Sequence, residues 1–434
     1  MEIPLSTASR PPTGSLRGAF PEGFMFGTAT SAFQVQQLKR RVEENQVSGI
    51  LLRRKKSFVV GRKLQTIIID IRKDFEDYAD FCFRTYGDRV KHWITICGPW
   101  SYAYSGYGVG TYAPGRGYSL SENQQLLEMS VFPASGPFSL LRLNTKPSFD
   151  LDLGDPGREP YVVAKTLLLA HAAAVRLYRR KYKQVWPIPY SRKDETAAQR
   201  AKDFMLGWFM EPLISGDYPK SMKALVGCRL PKFTPQESRM IKKTYDFIAL
   251  NYYTANYAMN APDPSHGKPH VARDSQVISL PCQDRIPIDE SDHESSSIHV
   301  YPEGLLDYLL YVKNKYNDPK IYISENGIDQ YDDPESPLPL WEALSDYKRV
   351  YYYNKHLSIL KTAIDKYDVK VKGYFTWSLL DNFEWNSGLP PRFGHFYVDY
   401  SDNFKRYPKL SAEWFKTHLR KPLPFPPSWT PDKK

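Results

Sequence analysis

Amphipathic helices that run through a short turn into an apolar, branched segment recur along this chain, and that alternation restricts the fold more than any other feature. Residues 73–86 place Phe75, Tyr78, Ala79 and Phe81 at helical spacing, Gly87-Asp88 forms a turn, and Val90–Ile96 follows as a strand. The pattern returns with helices over 159–182, 195–213, 302–315, 341–366 and 408–420, and strands at Tyr245–Leu250, Lys320–Ser324 and Val371–Trp377. Residues 20–34 read as a short aromatic strand, and 66–71, TIIIDI, as a buried one. Helix and strand in regular alternation predict an α/β protein with a parallel sheet.

Content of 41% hydrophobic and 14% aromatic residues excludes a disordered chain or a collagen. The 59 lysines and arginines against 48 acids leave a net charge of +11, which favours acidic partners in general without naming a nucleic acid. The run Arg53–Lys56, RRKK, reads as a solvated loop, so no nucleic-acid partner is expected. The apolar stretch Thr166–Val175 ends at Lys165 and Arg176, too short to cross a bilayer, and no membrane partner is expected. The first 20 residues lack the apolar core of a secretion signal. Cys82, Cys97, Cys228 and Cys282 are widely spaced and read as buried free thiols, with no metal site among them. Residues 116–157 and 262–299, rich in Pro, Ser, Gly and Asp, read as long surface loops.

Two segments concentrate chemistry. In IYISENGID, residues 321–329, a strand delivers Glu325 to its carboxyl end, and Asn326-Gly327 supplies a turn. Strand ends of this kind point into the catalytic bowl of a β/α barrel, where a nucleophilic carboxylate belongs. FTWSLLDNFEWNSG, residues 375–388, gathers Trp377, Asp381, Asn382, Glu384 and Trp385. Aromatic faces beside carboxylates suit a sugar, which has C–H faces and hydroxyl edges.

These segments, with FPEGFMFGTATSAFQ, DFEDYADFCFRTYGDRVKHWIT, GTYAPGR, EPYVVAKTLLLAHAAAV, ALNYYTANY, VYPEGLLDYLLYVKNKY and RFGHFYVDY, make most of the chain similar to plant β-glucosidases of glycoside hydrolase family 1. The resemblance implies a (β/α)8 TIM barrel, a retaining mechanism on β-D-glucosides, and no cofactor or metal. It makes Glu325 the nucleophile and Tyr253 the hydroxyl that tunes it. Gln34 and Glu384 would hold glucose hydroxyls beside Trp385, with Trp377 as a wall and Phe393 lining the pocket.

Departures from the family pattern follow. Where the family has TxNEPW this chain reads Thr95-Ile96-Cys97-Gly98-Pro99-Trp100, so Cys97 stands for a sugar-binding amide and Gly98 for the acid/base glutamate. Proton transfer by such a group is worth about 10²–10⁴-fold in rate, so hydrolysis is expected to be lost or strongly impaired. Glu122 and Glu128 are the carboxylates that could substitute. Two strand–helix units are missing between Gln34 and Asp74, and the barrel is expected to be incomplete or distorted in its N-terminal half. Ser57–Val60, Thr66–Ile71 and Val185–Ile188 could replace absent strands. The expected organisation is a flexible segment over 1–19, one barrel domain over 20–421 with 35–73 atypical, and a tail over 422–434. A glucoside-binding or scaffold protein without turnover, and a truncated product that folds poorly, are the competing readings. Oligomeric state and compartment stay open, although members of the family are often secreted or vacuolar.

Overall fold

The computed structural model describes residues 16–32, 34–35, 64–112, 114–117, 154–181, 197–261, 269–280, 282–283, 286–287, 298–333 and 335–419. Four parallel strands form the central sheet: β1 (Met25–Thr28), β2 (Ile248–Asn251), β5 (Ile321–Glu325) and β6 (Val371–Thr376). Their order is β1-β6-β5-β2. Between β2 and β5 a hairpin of β3 (Tyr257–Asn260) and β4 (Val277–Leu280) lies within the stretch whose second part was expected to be loop.

Helix α5 (Pro302–Lys315) precedes β5, and α6 (Tyr347–Asp365) precedes β6. Pro302 opens α5 where a missing N–H costs nothing, and Lys313 and Lys315 complement the dipole at its end. Leu305, Leu309 and Val312 recur at three-to-four spacing on its buried stripe. Tyr353, Leu357, Leu360 and Ala363 do the same on α6, and both stripes close on Ile248, Leu250, Ile321, Ile323, Val371 and Tyr374. Burying each such Leu or Ile side chain stabilises by roughly 1.5–3 kcal/mol. Because these helices cover one face of the sheet, the strand ends are left free to carry polar groups.

A second core joins α2 (Pro99–Tyr107), α3 (Glu159–Lys181) and α4 (Trp208–Ser215). At 23 residues, α3 is long and apolar enough to cross a membrane by length and composition. Its Tyr161, Ala164, Leu168 and Ala172 are buried against Trp208 and Ala103, which is the position of a core helix.

Several sequence expectations need correction. Residues 66–71 are not a strand: α1 runs unbroken over Leu64–Tyr86 until Gly87, and Ala79 and Phe83 dock on Ala174 and Leu177 of α3. No Gly or Pro interrupts the helical spacing, so continuity outweighs the weak β preference of three isoleucines. Residues 90–96 belong to no ladder among the described residues, although the strands expected within 20–34 and at 245–250, 320–324 and 371–377 pair in one sheet. The segment is fixed by side chains instead, with Thr95 Oγ1 2.7 Å from His171 Nδ1 and the His92 ring 5.7 Å from that of Tyr322. The 195–213 helix contains a wider turn at Asp203–Gly207, where Asp203 accepts from Lys315 and Gln199, both at 2.7 Å. Cys82, Cys97 and Cys228 are free but none is buried. Ser57–Val60, Val185–Ile188, the RRKK run, Glu122 and Glu128 lie outside the described residues.

Candidate active site

The carboxyl ends of β2, β5 and β6 lie side by side, with the Tyr252 N–H donating to the Glu325 carbonyl at 3.0 Å. Glu325 is the last residue of β5 and pairs in register with Asn251 of β2, across an irregularity between Leu250 and Asn251. That step brings Tyr253 over the strand end, and its hydroxyl donates to Glu325 Oε2 at 2.7 Å. Cys97 Sγ approaches Oε1 at 3.5 Å, and Asn251 Nδ2 donates to the same sulfur at 3.5 Å. Ser324 Oγ, donating to Asn251 Oδ1 at 2.7 Å, fixes the orientation of that amide. Desolvation raises the Glu325 carboxyl above its ordinary range, and hydrogen bonds from Tyr253, Cys97 and Asn251 partly oppose the rise. Solvent touches Cys97, although neighbouring protein surrounds most of its thiol. That surrounding, with the negative charge of Glu325, pushes the thiol up to about 12, so it stays protonated at neutral pH.

Asn326 and Gly327 do more than turn the chain. Asn326 Nδ2 donates to the Tyr252 carbonyl at 2.6 Å and to Tyr352 Oη at 2.9 Å, while Tyr374 Oη donates to Asn326 Oδ1. The Trp377 N–H donates to the Asn326 carbonyl at 2.9 Å. A Cβ on Gly327 would lie 2.1 Å from the Trp377 carbonyl oxygen, so glycine is required for β5 and β6 to approach there.

The second carboxylate, Glu384, is buried. Gln34 Nε2 and Trp377 Nε1 each lie 3.3 Å from one of its oxygens. Gln34 also donates to Asn382 Oδ1 at 2.8 Å and to the Phe383 carbonyl at 3.0 Å, tying the residues after β1 to those after β6. Burial holds the Glu384 carboxyl well above its ordinary range, and the charges of Asp329, Glu325 and Asp381 add to the rise against the Trp377 hydrogen bond. Phe393 is fully buried and meets the Tyr253 ring edge-on at 6.1 Å. Trp385, 37% exposed, stacks on Tyr112 at 5.9 Å.

The structure thus brings Glu325, Tyr253 and Cys97 into one group, and Gln34, Trp377, Glu384 and Trp385 into another. Phe393 touches Tyr253, and the field of Glu325 at Glu384 links the groups. Asn251 and Tyr112 were not foreseen as site residues. Tyr112 sits in GTYAPGR, whose only sequence signal was the motif itself.

Gly98 takes a backbone role. It starts α2 with φ 58° and ψ 41°, the left-handed region, and a Cβ there would meet open space. The expectation that hydrolysis is lost because glycine replaces the acid/base glutamate is overturned. A glutamate is present at the candidate acid/base position, Glu159 at the start of α3, engaged in a salt bridge rather than replaced by glycine. Arg116 Nε and Nη2 donate to its two oxygens at 2.6 and 2.7 Å. The expectation rested on one segment, TICGPW, and the partner that marks Glu159 lies 43 residues away in sequence.

Comparison with known proteins agrees with this geometry. The sequence pattern of glycosyl hydrolase family 1 matches residues 66–421. The chain is 46% identical over 367 residues to β-glucosidase 12 of Oryza sativa subsp. japonica, covering 81% of this chain and 66% of that protein, so it spans just under two thirds of that relative's length. It is similar in structure to the rice β-glucosidase Os3BGlu6, with a TM-score of 0.73 and 33% identity over 94% of this chain and 100% of the other. A mutant of that rice enzyme, solved in a covalent complex with Glc from GA4GE, matches with the same TM-score of 0.73 and 34% identity, over 94% of this chain and 100% of the other. The parallel core sheet, Glu325 at the end of one of its strands and the match over 66–421 lead to one conclusion: the chain belongs to glycosyl hydrolase family 1.

Proposed function

We propose that this protein hydrolyses β-D-glucosides with retention, with Glu325 as the nucleophile. The observation that carries the reading is the Glu325 carboxylate at the end of β5, held by Tyr253 at 2.7 Å and near enough to Glu384 for its charge to raise that carboxyl. In this reading Glu325 attacks the anomeric carbon, a C–O bond to Glu325 forms, and the electron pair of the breaking glycosidic bond leaves on the aglycone oxygen, which takes a proton. Water then attacks the same carbon, gives up a proton and frees Glu325. Tyr253 keeps the nucleophile ionised by donating to one oxygen. Gln34 and Glu384 hold sugar hydroxyls, Trp385 and Trp377 supply apolar faces, Phe393 closes the pocket and Cys97 borders the reacting carbon. The same reading makes residues 20–421 one (β/α)8 barrel domain with a distorted N-terminal half, flanked by segments 1–19 and 422–434.

Glu159 is the carboxylate to be tested for the proton. Its Gln variant, compared with wild type on aryl glucosides of rising aglycone pKa, should lose about 10²–10⁴-fold on unactivated substrates if it moves the proton, with azide restoring turnover of activated ones. Unchanged rates per folded molecule with lowered stability would instead make Glu159 a brace for Arg116. The wider reading fails if folded protein neither binds nor cleaves a p-nitrophenyl β-glucoside, or if Glu325→Gln cleaves it at the wild-type rate.

A further inference from the structure

The segment that carries Trp377, Asn382, Glu384 and Trp385 is anchored on its far side by a buried ion pair. Lys409 lies between β8 (Lys405–Pro408), which pairs with β7 (Phe396–Asp399), and α7 (Leu410–Leu419). Both Lys409 and Asp381 are fully buried, and Lys409 Nζ donates to Asp381 Oδ1 at 2.9 Å. Asp381 also accepts from the Gly394 N–H at 2.7 Å and the Val398 N–H at 3.3 Å, and its own N–H donates to the Phe396 carbonyl at 3.1 Å. One peptide unit further on, Asn382 receives Gln34 from the sugar side and donates to Ser378 Oγ at 3.2 Å and the Leu380 carbonyl at 3.1 Å.

Burying an ammonium and a carboxylate is costly, and an apolar pair of equal volume often stabilises a fold as well or better. What the ions add is direction. Asp381 is fixed by donors from three places, so the Asn382 and Glu384 that follow cannot rotate independently of β7 and Lys409. The charge also matters: Asp381 raises the Glu384 carboxyl, and Lys409 offsets the field of Asp381.

We infer that Lys409 is a positioning residue for the glycone-holding segment 377–385, acting through Asp381 on Gln34, Asn382 and Glu384. This rests on the β-glucoside reading above. The groups facing Lys409 are Asp381, Asp346, Arg349 and the His395 ring, with Arg392 Nη1 a second cation 3.7 Å from the other Asp381 oxygen, the His395 carbonyl accepting from the Lys409 backbone N–H at 2.9 Å and the Tyr397 ring centroid 5.9 Å from Nζ. Burial, with repulsion from Arg349 and against attraction from Asp381 and Asp346, brings its ammonium down to about 8. Its charge is therefore present at neutral pH and lost in mild alkali.

The test combines hydrogen exchange without ligand and kinetics with a p-nitrophenyl β-glucoside. Lys409→Met should lose protection over 378–388 while 321–325 keeps it. It should raise KM about ten- to a hundredfold with a smaller change in kcat. Adding Asp381→Asn should recover part of both losses, which a simple cavity would not allow. If Lys409→Met does not fold, the wild-type chain is compared at pH 7 and 9.5, where protection over 378–388, corrected for intrinsic rate, should fall selectively. Unchanged protection in that segment overturns the inference, as does a Lys409→Met loss that Asp381→Asn deepens. A wild-type chain that ignores the glucoside would strike the hydrolysis reading alone, because the exchange measurement needs no sugar.

Discussion

The charge of Glu325 reaches Glu384, but the two are held by different means. Three donors counter desolvation at Glu325, whereas Glu384 is fully buried among like charges with weaker relief. Tyr253→Phe should remove a charge-assisted hydrogen bond worth about 1.5–3 kcal/mol, lowering kcat/KM roughly 10- to 100-fold. As the proposed nucleophile, Glu325 must be ionised, so the acid limb of the pH–rate profile should move to higher pH; a profile identical to wild type would exclude the tuning role. For Glu384 the sign runs the other way in stability. A carboxyl raised by folding contributes fully below its unfolded pKa, and that contribution is lost as pH rises through the folded value. Glu384→Gln should therefore gain melting temperature over wild type at pH 8 and show little gain at pH 4, while losing glucoside affinity; an equal gain at both would contradict this. The sequence pointed to both glutamates because strand-end carboxylates beside tryptophans are a local signal. Tyr112 and Asn251 were hidden because their roles come from contacts across the fold, and Glu159 because its Arg116 partner is remote.

The join between β5 and β6 depends on Asn326, whose amide is satisfied by Tyr252, Tyr352 and Tyr374. Asn326→Ala takes this partner from the Tyr252 carbonyl and the Tyr374 hydroxyl, while Tyr352 keeps its bond to the Tyr253 carbonyl at 2.7 Å, and should cost on the order of 3 kcal/mol in urea unfolding, with activity lost in parallel. A cost below about 1 kcal/mol would show that the join is held elsewhere. From sequence, Asn326-Gly327 was only a turn, because the Trp377 approach that demands glycine is invisible there. The helices over 302–315 and 341–366 were legible through their apolar spacing, which also dictates their packing. Residues 66–71 and 90–96 misled for a common reason: a run of branched residues states no partner, and strand character is completed only by a neighbouring strand.

Across the chain, burial is uneven. The sheet and its two covering helices hold the largest core, whereas α1 exposes Tyr78 at 63% and Phe81 at 48%. Amides of β5, β6, α5 and α6 should exchange slowest and those of α1 faster by at least tenfold; α1 matching the sheet would refute that order. The parallel α/β class was readable from alternation alone, but the order β1-β6-β5-β2 was not, since the pairing of β1 with β6, far apart in sequence, appears only in space. The proposed chemistry converges on the end of β5. Incubation with an activated 2-deoxy-2-fluoro-β-D-glucoside, followed by peptide mass spectrometry, should find one fluoroglucosyl group on Glu325 and none in Glu325→Gln. Folded, sugar-binding protein that carries no adduct, or carries it on another residue, would contradict the account.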